Sequence, residues 1–366
     1  MTTKIKEVLN FLNEVAPYSL QEEYDNSGLI VGDENEVVKG ILLALDSTEE
    51  IIVEAISLGC NVVLAHHPII FNGLKRITGK NYVERTIIKA IKNDISIISC
   101  HTNLDNVITG VNKKIADKLE LQNIKILAPK AQALKKITTY IPKSHVEQVA
   151  EAMHLAGGGQ IGNYKDCSFR VEGVGTFTPS EHAQPFIGEK KIKSFENEVR
   201  IEMIFPSYLE QKMITTLKLN HPYEEVAYYV YPITNEHQDI GSGVIGDLNQ
   251  KYKINEFLDY LKLKLDLKVI KHTKVINNLV SKIALCGGSG SFLTQNAIRA
   301  GADVYISSDY KYHEFFDADG KMMIIDIGHY ESEKFTNELL FDLISNKFTN
   351  FALHCTKSNT NPINYY

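Results

Sequence analysis

The sequence predicts an α/β protein: a duplicated α/β core interrupted by an inserted ferredoxin-like α+β domain. Three observations lead there. Short apolar runs alternate with amphipathic helical stretches. One run–helix–run unit recurs late in the chain at a constant offset, and the stretch between the two copies has a different element order.

The elements follow in order. Ile5, Val8, Leu9, Leu12 and Val15 recur at helical spacing, so the chain opens with an amphipathic helix. A turn at Asp25-Asn26-Ser27-Gly28 leads to the strand Leu29-Ile30-Val31. The apolar run 41–45 is a second strand. A helix follows from Ser47-Thr48, with Ser47 as its cap and Glu49 and Glu50 at its positive end. Gly59 stops it, and Val62-Val63-Leu64-Ala65 is the next strand. A helix over 81–93 precedes a further strand at 95–99.

The repeat is gapless. Ile41-Leu42-Leu43-Ala44, Ala55-Ile56, Gly59 and Val62 align with Ile283-Ala284-Leu285-Cys286, Ala297-Ile298, Gly301 and Val304, always 242 positions apart. Any two strand–helix–strand units share this grammar, but the constant register favours duplication. It pairs His66 and His67 with Ser308 and Asp309, and it predicts two half-repeats facing one cleft.

Between the copies the order is strand (137–141), helix (146–155), strands near 168–171 and 199–205, helix (209–219) and strand (227–231). That is the ferredoxin-like order. Residues 129–239 are therefore expected to form an inserted domain, with 1–128 and 240–366 as the core.

Composition bounds the function. Of 366 residues, 44% are hydrophobic and 23% charged, as in ordinary globular proteins. The net charge of -6 argues against a general grip on nucleic acid. The short basic run at Lys190-Lys191-Ile192-Lys193 is flanked by Glu189 and Glu196. Five scattered cysteines with no Cys-x-x-Cys pair fit a reducing compartment. No signal-like or bilayer-length apolar stretch occurs, so a cytoplasmic protein with no membrane partner is expected.

Three strand ends concentrate metal-ligating side chains. Ala65-His66-His67-Pro68 follows the strand at 62–65, where a turning backbone lets both imidazoles reach one cleft. Taken alone, the pair also reads as structural histidine. His101-Thr102-Asn103-Leu104-Asp105 follows the strand at 95–99; Asp105 reads as a ligand or as a cap for 106–119. His329 and Glu333, after a strand at 322–325, sit four apart on a helix expected to run to Ile344. They read as a shared ligand pair or a surface ion pair. Together these give five ligands, His66, His67, Asp105, His329 and Glu333, with no thiolate. Imidazole with carboxylate suits Zn, Mn, Fe or Ni better than Ca. Five ligands exceed what one catalytic Zn needs and fit two ions. His101 and His313 are spare candidates for acid–base or supporting roles. Cys286-Gly287-Gly288-Ser289-Gly290-Ser291 reads either as a phosphate cradle or as a tight turn.

These motifs, with Asp25-Asn26-Ser27-Gly28 and Gly328-His329-Tyr330-x-Ser332-Glu333, resemble the Ngg1-interacting factor 3-like family across nearly the whole chain. Bacterial members are labelled GTP cyclohydrolase 1 type 2 homologues or dinuclear metal centre proteins. The resemblance implies that His66, His67, Asp105, His329 and Glu333 hold two divalent ions, Zn first, with Mn, Fe or Ni as alternatives. It also implies a CutA-like/PII-like inserted domain, a homohexamer, and hydrolysis of a nucleotide or related small molecule. A metal-handling or regulatory role is the competing expectation. The segment Ser307-Ser308-Asp309 departs from a Thr-Gly-Asp start common in relatives, while Asp309, Lys311 and His313 remain.

Overall fold

The structure, a computed structural model, describes residues 2–276 and 278–366. They divide into two compact units, Met1–Pro129 with Asp239–Tyr366, and Lys130–Gln238.

The first unit begins with helix α1 (Ile5–Val15), which buries Ile5, Val8 and Leu12. Strand β1 (Gly28–Val31) and the fully buried β2 (Gly40–Ala44) follow. Helix α2 (Glu49–Ser57) is capped by Thr48, not Ser47. Thr48 has the extended backbone of a cap and its side chain accepts from the Ile51 amide. Next come β3 (Val62–Ala65), α3 (Tyr82–Lys92) and β4 (Ser96–Ser99), with Asn81 capping α3. Asp105 ends the short helix α4 (Thr102–Asp105) and caps nothing after it, because α5 starts only at Val111 (Val111–Lys118). Strand β5 (Gln122–Pro129) closes this part.

The unit Lys130–Gln238 contains β6 (Leu134–Pro142), α6 (Val146–Leu155), β7 (Phe169–Phe177), β8 (Ser194–Pro206), α7 (Glu210–Asn220) and β9 (Tyr228–Pro232). Its sheet is antiparallel throughout in the order β7-β8-β6-β9, the ferredoxin-like arrangement. One face packs Ile137, Ile141, Ile201 and Phe205 against Val149, Met153, Met213 and Leu217. Strand β8 is longer than its apolar run suggests, because its first residues alternate between half-buried and exposed.

The first unit resumes with β10 (Gly241–Lys253), α8 (Ile254–Leu265), β11 (Lys271–His272) and β12 (Leu279–Ser289). It continues through α9 (Thr294–Arg299), β13 (Val304–Ser308), β14 (Met323–Asp326), α10 (His329–Glu333), α11 (Thr336–Lys347) and β15 (Ala352–Cys355). One sheet has the order β1-β4-β3-β2-β15 and the other β11-β14-β13-β12-β10-β5. The first has four parallel strands, β15-β2-β3-β4, and the second three, β12-β13-β14. The repeat holds at the level of backbone register: Ile41 pairs with Val62, and Ile283 pairs with Val304. Burial on both faces explains why these strands read as continuous apolar runs.

The helix expected to run from α10 to Ile344 is broken. Helix α10 aims His329 and Glu333 inward and stops at Lys334, and α11 restarts to bury Leu340 and Ile344. Among the described residues, no helix is long and apolar enough to cross a membrane.

Candidate metal centre

The open ends of the parallel strands border a cleft of about 1060 Å³ in the first unit. His66 and His67 leave β3, His101 leaves β4, and His329 and Glu333 stand on α10 after β14. Donor atoms of His66, His67 and His101 lie within 4.8 Å of one another, as do those of His67, His329 and Glu333. His67 is common to both groups. Its Nε2 lies 3.0 Å from Glu333 Oε2 and 3.3 Å from His329 Nε2. Asp105 joins from the other side, its Oδ1 3.6 Å from His66 Nε2.

Every imidazole has its outer nitrogen committed. His66 Nδ1 donates to the Cys100 carbonyl at 2.8 Å, and His67 Nδ1 to Asp46 Oδ1 at 2.8 Å. His101 Nδ1 donates to Asp25 Oδ1 at 2.7 Å, and His329 Nδ1 to Asp309 Oδ2 at 2.6 Å. That selects the tautomer leaving Nε2 for a metal ion, and a carboxylate on the far nitrogen raises ligand basicity.

Two polar atoms at the centre test the fit. His66 Nε2 and Asp105 Oδ1 are buried with no hydrogen-bond partner among the described residues. Such atoms are costly unless something supplies a partner. The donor set, imidazole nitrogens with carboxylate oxygens, suits a Zn-like cation. The residues fit the group.

Residues 3–362 match the family described as Duf34/NIF3 (NGG1p interacting factor 3). The chain belongs to this family. Its relatives include a GTP cyclohydrolase 1 type 2 homolog of Halalkalibacterium halodurans, 40% identical over 325 residues, spanning 88% of this chain and 87% of the relative. A protein of the same name from Bacillus subtilis is 36% identical over 369 residues, spanning 98% of each chain. The crystal structure of a Bacillus cereus protein related to NIF3 superposes with a TM-score of 0.87 at 38% identity, covering 100% of both chains.

In this Duf34/NIF3 chain the motifs brace one another. Asp25 also accepts from the amide of Thr102 at 2.9 Å and from its hydroxyl. Asn26 donates to the Ile70 carbonyl, and Ser27 to Asn103 Oδ1 at 2.9 Å. The Asp25–Gly28 turn thus holds the His101–Asp105 segment from behind. Asn112 ties Asp105 to the other half-repeat, donating to the Asp105 carbonyl at 3.0 Å and accepting from the Gly287 amide at 2.9 Å. The Gly288 amide donates to Ser332 Oγ at 2.9 Å. Both amides are engaged, and the Cys286–Ser291 stretch is the irregular end of β12, which leads into a 3-10 turn at Ser291–Leu293. Gly288 has φ +64°, and a Cβ there would stand 2.3 Å from Glu333 Oε1. Only glycine leaves room for that carboxylate.

Charge in the cluster is strongly shifted. Burial opposes the imidazolium form of His67, but hydrogen bonds to Asp46 and Glu333 outweigh it and push the pKa up to about 9. His329, against Asp309 and Glu333, is pushed up to about 11 despite burial. Burial would raise Glu333, yet its three histidine partners hold it well below the usual carboxylate range. Asp105 goes the other way: burial raises it more than the histidines lower it. Without metal, protons occupy this cluster.

His313 does not join the site. It lies exposed on a 3-10 turn over Tyr312–Ala318, its ring stacked on Phe316 at 6.3 Å. Reasoning from the sequence also missed Asp46, and it left Asp25 and Asp309 without the role of orienting histidines. Each follows or precedes a strand end, so asking which acid orients each ligand would have flagged them.

Proposed function

We propose that this protein binds two divalent ions per chain, Zn first with Mn, Fe or Ni as alternatives, and is a metal-dependent hydrolase of a nucleotide or related small molecule. His66, His67, Asp105, His329 and Glu333 hold the ions. The observation that carries the reading is the set of four imidazoles whose Nδ1 atoms are all engaged and whose donor atoms gather in two groups that share His67. Two such ions, when bound, supply an activated water and polarise an electrophile. The chain's own contribution is to position and to move protons. His101 borders the cleft with its partner Asp25 behind it, placed as a proton carrier or a further ligand. Tyr24, Phe71, Tyr82, Phe292 and Tyr330 flank the cleft, and their rings suit a planar substrate. The name of the relatives, GTP cyclohydrolase 1 type 2 homolog, supports a purine nucleotide as the first substrate to try.

The test is a panel of nucleotides and phosphoesters with metal-reconstituted protein, alongside Asp105→Ala and Glu333→Ala. Turnover abolished in both folded variants supports hydrolysis. Bound metal without turnover of any compound replaces it with metal handling or regulation. A separate cavity of about 970 Å³ within Lys130–Gln238, lined by Phe177, Phe186, Glu198 and Tyr223, favours a sensing role for that unit in the second case. The CutA-like/PII-like character of the unit and assembly into a homohexamer belong to the same proposal. Light scattering decides the latter: six chains of 41.2 kDa each, or fewer.

A further inference from the structure

The segment after β15 has no regular secondary structure, yet it is tied down along its length. The Thr356 amide donates to the Leu43 carbonyl at 2.9 Å. The Lys357 amide and the Ser358 hydroxyl donate to the Glu54 carboxylate at 2.9 Å, joined there by the Thr356 hydroxyl. Asn361 Nδ2 donates to Glu331 Oε1 at 3.1 Å, on the same helix as His329 and Glu333. Between these anchors, Thr360 Oγ1 donates to Asp46 Oδ2 at 2.6 Å. Thr360 to Ile363 then form one wall of the metal cleft.

We infer that Thr360 is a positioning residue for the metal centre, acting through Asp46 on His67. The two oxygens of Asp46 have separate tasks: Oδ1 accepts from His67 Nδ1, and Oδ2 accepts from Thr360. With one hydrogen bond the carboxylate is free to rotate about its last torsion; with two it is locked. A locked carboxylate locks the imidazole plane. The consequence is larger than for another ligand because His67 alone belongs to both groups of converging donors. A loose His67 loosens both. The segment also joins the two half-repeats, reaching Asp46 beyond β2 and Glu331 on α10.

This inference rests on the metal reading above, so its experiment has an arm that needs no metal. In metal-free protein, the His67 Nδ1 proton is followed by NMR as a downfield imidazole resonance, assigned by its loss in Asp46→Asn. Thr360→Val is expected to move or broaden that resonance, and Thr360→Ser to restore it. The second arm measures Zn and Mn affinity by competition with a chromophoric chelator. Outer-shell partners are worth about 10- to 100-fold in metal affinity, and one step further out about 3- to 10-fold is expected for Thr360→Val. Thr360→Ser should stay within about twofold of the parent. The Glu54 anchor lies outside the change, so the segment stays in place. If Thr360→Val does not fold, Thr360→Ala is read in both arms against Thr360→Ser. An unchanged resonance together with unchanged affinity overturns the inference, as does Thr360→Ser behaving like Thr360→Val. A parent protein that binds no metal sinks the metal reading, while the NMR arm still decides what Thr360 does.

Discussion

Asp309 is the counterpart of His67: it stands 242 positions later, after the equivalent strand, and orients a histidine where His67 is one. The two half-repeats have therefore diverged into different tasks at matching places. Each task is needed by a different residue, since Asp46 serves His67 and Asp309 serves His329.

Asp46→Asn and Asp309→Asn should each weaken Zn binding by about 10- to 100-fold while the protein keeps its fold. An amide leaves the shape but removes the charge that raises imidazole basicity. Competition titrations with circular dichroism on the same samples check this. Parent-like affinity in both variants would contradict the orienting role.

The cluster makes stability depend on pH in the metal-free protein. His67 and His329 titrate at about 9 and about 11, above the ordinary 6.5. A raised pKa stabilises the fold fully below pH 6.5, and that contribution is lost as pH climbs through 9 and then 11. Melting temperature of chelator-treated protein should therefore fall between pH 6.5 and 9.5. Metal competes with those same protons, so the gap between loaded and chelator-treated protein should widen over that range. A gap that narrows with rising pH would rule the account out.

Gly288→Ala should destabilise the protein by about 1–3 kcal/mol and lower its metal content. The new Cβ meets Glu333 Oε1 in a left-handed backbone conformation that disfavours side chains. Adding Glu333→Ala should recover part of the lost stability, leaving the backbone part. Denaturant melts of the four-member cycle measure the coupling. Additive effects would show that the two residues do not clash.

His101→Ala and His313→Ala should separate cleanly. His101 borders the cleft and is held by Asp25, whereas His313 lies exposed on its 3-10 turn. Metal content and any turnover found should drop in the first variant and stay within about twofold in the second. Equal losses would place His313 in the site after all.

The parallel strands and the histidines at their ends were legible because burial on both faces writes an unbroken apolar run, and a histidine pair after such a run stands out. The carboxylates behind the histidines were not. The histidines that Asp46 and Asp25 orient lie 21 and 76 positions away, so no local pattern pairs them before the chain folds. Strands β5 and β10 escaped for another reason. In β5 only Ile126 and Leu127 are buried, and β10 alternates for part of its length and then carries the polar run Asn249-Gln250-Lys251, so no continuous apolar segment marks them. His313 lies only four positions after Asp309, but it stands exposed on the 3-10 turn over Tyr312–Ala318.

Asp105 and Glu333 are 228 positions apart, and the 109 residues of Lys130–Gln238 supply nearly half of that separation. Chain closure grows only with the logarithm of length, so roughly doubling the tether costs about 0.6 kcal/mol. An ion held by both ends, as proposed above, would offset this many times over. A whole extra unit can thus be spliced into the connection at almost no thermodynamic penalty to the ligand set. Strand β15 completes the sheet of the first half-repeat and β5 that of the second, so the halves are interlocked and an ion held between them would stabilise the folded unit as a whole.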